Sequence, residues 1–495
     1  MRTFTFPRPR PRGLVGRKLE TYEQAVLGLT GALTVGLTAL LPGVVLKLVV
    51  LIGLPAVAVW ATFVPYRGRT YLRWWEINRT YRRSMTRRTL LYKSRAPQAG
   101  TTLDGVPKPV PVPAGVPRLE WFSAKTPYGE LAVLLQPQRR LLTASIEIEG
   151  ERDFGGLDES DRESALIAYE HFLNSVTESG GRVRRLAITT RINPSDPNAH
   201  ARDARARREP SAPGWLHESY DDLQRMVAVS AEDRRLFLTI SIPYTPELAA
   251  AAREHDSLGA GFGYLVGEEM AGVIRHLPSA QFRLVRTLDE AGLASLIHNQ
   301  YDPNHLISDT VGMNRSTAWP AEIDARAVGH IAARSWSSEQ PWYSATAWVK
   351  QLPTQRVRLN FLAPLLLWMD QVTRTVTVVM DLVPADKAID RAMSDLTNER
   401  GQGQAGAGKI NDPRNTQAMT HAEQTMHDAT SGAAGITLTS YITVTAPSEK
   451  DLAKVRRETV SAASKSQIKL EWCEREQHRA FINTLPLAAG LISEG

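Results

Sequence analysis

Two stretches without a charged residue, AVLGLTGALTVGLTALL from Ala25 to Leu41 and LVVLIGLPAVAVWATFV from Leu48 to Val64, limit what the start of this chain can become. Each has the length, ~17 residues or a little more, at which an apolar helix begins to span a bilayer. Pro42 and Gly43 break the chain between them, so the pattern predicts a two-helix membrane hairpin. Lys47 follows the turn, where a long side chain can snorkel to the far interface. Arg2, Arg8, Arg10, Arg12, Arg17 and Lys18 precede the hairpin, and Arg67, Arg69, Arg73, Arg79, Arg82, Arg83, Arg87 and Arg88 follow it. The excess of Lys and Arg on both flanks places both ends of a multi-pass cell-membrane protein in the cytoplasm. Trp60, Tyr66, Trp74 and Trp75 suit the headgroup depth of that inner face. A cleaved signal peptide has one apolar core and a small-residue cleavage site, and two helices buried in a soluble core would not call for such flanks.

Charge is divided accordingly. Residues 1–95 carry 17 Lys or Arg against 3 Glu, a net of +14, while the remaining 42 basic and 49 acidic groups give −7. A basic excess confined to the flanks of the apolar segment points to anionic lipid rather than nucleic acid. Cys473 is the only cysteine, so no internal disulfide forms, and its amphipathic, Trp-containing surroundings predict a small buried apolar residue.

The rest of the chain reads as α+β. A Pro-rich connector, APQAGTTLDGVPKPVPVPAGVP, covers residues 96–117 and is expected to space rather than fold. Alternating apolar residues predict strands at LLTASIEIE (141–149), VRRLAITTR (183–191), RLFLTISI (235–242) and QFRLVRTL (281–288). Helical spacing falls at 161–176, and again in PELAAAAREH and FGYLVGEEMAGVIRHL. The order strand, helix, strand, strand, helix, strand fits a ferredoxin-like, split βαβ unit over 118–290, with helices on one sheet face. A second such unit, 291–495, has strand candidates at 344–352, 373–383 and 435–446 and a helix capped by Ser448 with Asp451 and running to Ser464. KLEWCERE supplies its last strand.

Motifs with chemical meaning weigh little. Gly403 to Lys409 in GQGQAGAGKI has phosphate-loop spacing, but Ile410 stands where magnesium needs a hydroxyl. A charged amphipathic helix precedes it and NDPRN follows, so neither a delivering strand nor a helix N-terminus is expected. GAGFGYLVG (259–267) has part of a dinucleotide turn without its strand, and reads as a loop and helix start. His298, Asp302, His305 and Asp309 lack a common zinc spacing, and a turn around Asp302 and Pro303 is expected. The arginines between Arg202 and Arg208 have no interleaved aromatic residues and are followed by acids, as in a solvated loop. Catalytic, cofactor-binding and metal-binding residues are therefore all expected to be none, and the protein not to be an enzyme.

Two segments carry a resemblance. Arg17 to Trp75, with Pro65, Gly68, Arg69 and Trp74 in FVPYRGRTYLRWW, resembles the PrgI family of two-span membrane proteins. SYITVTAPSEKDLAKVRRETVSAASKSQIKLEWCEREQHRAFINTLPLA, with Ala480, Phe481, Leu485, Pro486 and Leu487, resembles the end of the N-terminal domain of VirB-type type IV secretion ATPases. Such an ATPase would continue for several hundred residues with a complete phosphate loop, whereas this sequence ends at Gly495. The resemblance thus implies the docking part without the motor, as in actinobacterial conjugation-locus proteins that join a PrgI-like hairpin to such a domain. It implies a non-enzymatic inner-membrane scaffold for a type IV secretion or conjugation-like apparatus. The partners implied are the bilayer, a secretion ATPase in trans, other apparatus subunits and further copies of the chain. The alternative is a membrane component of another export system of the type VII kind. An uncharged C-terminal stretch, Phe481 to Leu491, is expected either to form part of the contact with the partner or to fold back onto its own subdomain.

Overall fold

A computed structural model describes residues 21–63, 65–66, 69–94, 112–151, 158–177, 181–194, 213–228, 232–336, 338–353, 357–358, 360–383 and 435–489, with a few isolated positions between 389 and 427. The stretch Gly401 to Ile410 and the run Arg202 to Arg208 lie outside them. The chain divides into two compact units, one from Arg8 to Leu90 and one formed mainly by Leu91 to Gly495.

The smaller unit contains α1 (Thr21–Leu40), α2 (Val44–Phe63) and α3 (Tyr71–Thr86). Pro42 and Gly43 separate α1 from α2, and Gly43 adopts φ 91°, a left-handed conformation that costs glycine nothing. A two-residue ladder pairing Pro65 with Thr70 and Tyr66 with Arg69 turns the chain from α2 into α3. Thr70 caps α3 by accepting from the amide of Arg73.

The larger unit is mixed α+β, built on one 13-stranded antiparallel sheet. Its strands are β1 (Leu91–Lys93), β2 (Glu120–Thr126), β3 (Gly129–Gln136), β4 (Leu141–Gly150), β5 (Arg185–Pro194), β6 (Glu232–Pro243), β7 (Phe282–Thr287), β8 (Glu322–Asp324), β9 (Ile331–Arg334), β10 (Trp342–Gln351), β11 (Thr373–Val383), β12 (Gly435–Ala446) and β13 (Lys469–Trp472). The spatial order is β1-β8-β9-β10-β12-β11-β5-β6-β4-β3-β2, with β13 beside β10 and β7 beside β4. The helices are α4 (Glu159–Thr177), α5 (Gly214–Ala228), α6 (Pro246–Ala252), α7 (Leu258–His276), α8 (Glu290–Tyr301), α9 (Ala363–Leu366), α10 (Glu449–Lys465) and α11 (Gln477–Ile482).

Residues 118–290 and 291–495, expected as two units, contribute the two parts of this one sheet. The first part has the order β7-β4-β6-β5 and the second β13-β10-β12-β11, the same order read from outside to seam. They meet where β5 pairs antiparallel with β11, from Arg185 opposite Asp381 to Ile192 opposite Arg374. Each part also places a hairpin, β2-β3 or β8-β9, against the outer edge of its first long strand.

Alternation assigns the two faces. Leu142, Ala144, Ile146 and Ile148 of β4 and Leu238, Ile240 and Ile242 of β6 point to one side, where α4, α6 and α7 bury them. On the same side Val376, Ile442 and Val444 pack under α9 and α10. The opposite face carries Thr143, Ser145, Thr189, Thr239, Thr375, Thr377, Thr443 and Thr445, all buried. The ferredoxin-like pattern puts helices on one sheet face only, whereas this second face is covered as well. Here α8 lies over it, buried from Gly292 to Tyr301, with the segment from α11 to Ala489.

Candidate functional site

Among the described residues one helix is long and apolar enough to cross a membrane: α2, over Val44–Thr62, with a mean hydropathy of 2.4 and only Thr62, at its end, buried. Val44, Val45, Leu48, Val49, Leu51 and Ile52 are all exposed. Pro55 lies inside it, which apolar helices tolerate when local adjustment satisfies the freed carbonyl. The apolar part of α1, Gln24–Leu40, is shorter. Its threonines bond back to their own helix, Thr30 Oγ1 to Val26 O and Thr34 Oγ1 to Thr30 O, both at 2.7 Å, so their hydroxyls need no water.

The polar face of the sheet is the other unusual region. Four pairs of its hydroxyls satisfy one another across strands, Ser145 with Thr239 at 2.8 Å, Thr189 with Thr377 at 3.1 Å, Ser344 with Thr445 at 2.9 Å and Thr346 with Thr443 at 2.8 Å. Burial is tolerable because every such pair replaces a bond to water. At the seam, Arg191 is fully enclosed and donates to Asn299 Oδ1 and O from α8 and to Thr375 Oγ1 from β11. Burial alone pulls its pKa down to about 9. On the other face Arg374 is equally enclosed, paired with Glu232 at 2.9 Å and donating to the carbonyls of Leu365, Leu366, Met369 and Val372.

The C-terminal stretch folds back onto its own sheet over residues 481–489, the second of the two expectations, while residues 490–491 lie outside the described residues. Phe481, Ile482, Leu485 and Leu487 are at most 1 % exposed. Three main-chain carbonyls fix the segment to the polar face: Pro486 O accepts from Ser145 at 3.3 Å, Leu487 O from Gln136 at 2.9 Å and Ala488 O from Arg185 at 3.0 Å. Ala488 packs on Ala187 and Val379, directly over the seam. An uncharged segment gains more from covering its own sheet than from waiting in water for a partner. Residues 112–117, expected to be spacer, are similarly tied down: Val116 is buried and the Ala114 carbonyl accepts from His478 Nδ1 at 2.8 Å.

The remaining motifs have structural uses. GAGFGYLVG lies wholly in α7, capped by Ser257, so it is helix rather than loop and helix start. Gly261 and Gly263 let that helix approach the carbonyls of Ala252 and Ser123 more closely than a Cβ would allow. The turn at Asp302 is present, with Asn304 N donating to Asp302 Oδ1 at 3.1 Å. His298 and His305 come within 5.0 Å ring to ring, but His298 spends both nitrogens on Thr317 O and Ser335 Oγ, and His305 Nε2 meets Ser295 Oγ. Burial lowers the pKa of both rings. Among the described residues no group of His, Cys, Asp and Glu is placed to hold a metal ion. Cys473 is buried.

No family model and no curated protein matches this chain. One element the sequence reading missed is α3. The signal was present as Tyr71, Trp75, Arg79, Arg82 and Arg83, which recur at the spacing of one helix face.

Proposed function

We propose that this protein is a non-enzymatic membrane scaffold of a type IV secretion or conjugation-like apparatus, offering its α+β unit as a cytoplasmic platform to a separately encoded ATPase. The observation that carries the membrane part is α2. Its row of exposed Val, Leu and Ile would be costly in water and is at home in hydrocarbon. In this reading α1 is the other span of the hairpin, its shorter apolar length met by local thinning of the bilayer, and the basic flanks hold both ends inside. The two parts of the sheet are two split βαβ units that share an edge, a reading supported by their common strand order. The ATPase part of the proposal rests on the resemblance of residues 440–488. That segment contains a strand, a helix and a second strand in the order the resemblance implies.

The test is crosslinking in native membranes, followed by mass spectrometry. A VirB-type ATPase joined to lysines of the sheet unit, such as Lys454 or Lys469, is the expected result. Recovery of type VII components alone would overturn the assignment.

A further inference from the structure

The exposed side of α3 is chemically unlike that of α1 and α2. At ~100° per residue, Trp75, Arg79, Arg82 and Arg83 share one face, with Tyr71 and Arg87 at its borders. Ile77, the buried residue of the helix, points the opposite way. Together these residues line a cleft of ≈ 600 Å³. The guanidinium of Arg79 stacks on Trp75 at 4.9 Å. The acid of the helix, Glu76, is already paired with Arg73 at 2.8 Å. Among the described residues no carboxylate pairs with Arg79, Arg82, Arg83 or Arg87. Like charges at i and i+4, as in Arg79 with Arg83 and Arg83 with Arg87, oppose the helix they sit on. An anion among them would remove that repulsion.

Position decides which anion. The α3 helix follows the C-terminal end of α2 by one short ladder, and the Tyr71 ring lies 5.8 Å from Trp60, on the last turns of α2. Aromatic rings at the end of an apolar helix mark headgroup depth. A guanidinium fork matches a phosphate diester bidentately, and a Trp ring packs against the first carbons of the acyl chains beside it. The geometry points to the α3 face as a binding site for the phosphate headgroup of an anionic phospholipid, with Arg79, Arg82, Arg83 and Arg87 as the anion ligands and Trp75 and Tyr71 as the apolar wall. This rests on the membrane reading above and adds to it a lipid class and the residues that select it.

The experiment uses the purified full-length protein in neutral detergent, titrated by thermophoresis with dioctanoyl phosphatidylglycerol, dioctanoyl phosphatidylcholine or inorganic phosphate. Saturable binding of the glycerol lipid, at least ~10-fold tighter than the choline lipid and weakened by salt, is expected. The variant R79Q/R82Q/R83Q/R87Q should bring the two lipids to equal affinity, and the milder R82Q/R83Q should weaken the anionic lipid at least ~5-fold if the fuller variant fails to fold. Equal affinity for both lipids in the unaltered protein, binding unchanged in these variants, or displacement by inorganic phosphate at matched concentration would overturn the site. Alkaline carbonate extraction of membranes separates this from the underlying reading. A chain that stays in the membrane pellet but shows no lipid preference sinks the site alone, and a chain released by carbonate sinks the anchor.

Discussion

His478 shows what burial does to a titratable side chain in this fold. Its Nδ1 donates to the Ala114 carbonyl, and its Nε2 sits 3.3 Å from the Tyr301 hydroxyl, so the ring is held neutral. Burial lowers its pKa to about 4, outweighing the bond to Ala114, which acts the other way. The unfolded chain takes a proton near the ordinary value of 6.5, whereas the folded chain refuses it until about pH 4. Stability is therefore complete above pH 6.5 and falls as pH drops through that window, by about 3 kcal/mol for this residue at ~1.4 kcal/mol per pH unit. His298 and His305 shift in the same direction and add to the slope. Urea midpoints measured from pH 7.5 to 4.5 should fall steadily. His478→Asn keeps a donor where Nδ1 stood and should make the decline shallower; an unchanged slope would remove His478 from the account. Nothing in the sequence singled out this histidine, or Arg191 at the seam, because the groups that bury them lie far away along the chain.

Helix α7 illustrates how much of an element can be read locally. Its existence follows from apolar spacing and the Ser257 cap, while the purpose of its glycines follows only from what it touches. A Cβ on Gly263 would collide with the main-chain oxygen of Ser123 in β2, an atom that cannot move without breaking the β2-β3 hairpin. On Gly272 it would meet nothing closer than the Arg275 side chain at 3.8 Å. Gly263→Ala should thus destabilise the protein by ~1–3 kcal/mol. Gly272→Ala should stabilise it by ~0.5–1 kcal/mol, the helix-propensity gain alone. Thermal unfolding of the two variants under one condition checks both signs, and equal shifts would contradict the packing argument. The long strands were legible for a similar reason: β11 and β12 run over the residues that alternation marks, Thr373–Val383 and Gly435–Ala446. The hairpin β2-β3 was not, although its strands are seven and eight residues long, because the apolar run LAVLL in β3 does not alternate; the strands β1, β8 and β9, of three or four residues, carry too little alternation to stand out.

The α+β character of the chain after residue 118 was legible; that residues 118–290 and 291–495 join in one sheet was not. Pairing between β5 and β11 depends on residues nearly 200 positions apart and leaves no periodic trace in either segment. The join goes beyond the ladder. Gln136, Ser145 and Arg185 of the first part hold carbonyls of Pro486, Leu487 and Ala488 from the second, and His478 of the second holds Ala114 ahead of the first. The first part does not cover its own Ser/Thr face, because α8 and the C-terminal segment that lie over it both come from the second part. Residues 118–290 produced alone would therefore expose the β5 edge, with its unpaired amides, and a row of hydroxyls with no layer above them. An open edge of this length is a template for aggregation. Expressed separately, 118–290 should be insoluble or loosely folded, and co-expression with 291–495 should return a soluble, equimolar pair. Hydrogen exchange on that pair should show β5 and β11 protected as strongly as the central β4 and β6. A soluble, cooperatively folded 118–290 fragment would mean that the seam is a contact between independent domains. Failure of the fragment together with rescue by its partner would mean that both parts fold as one sheet.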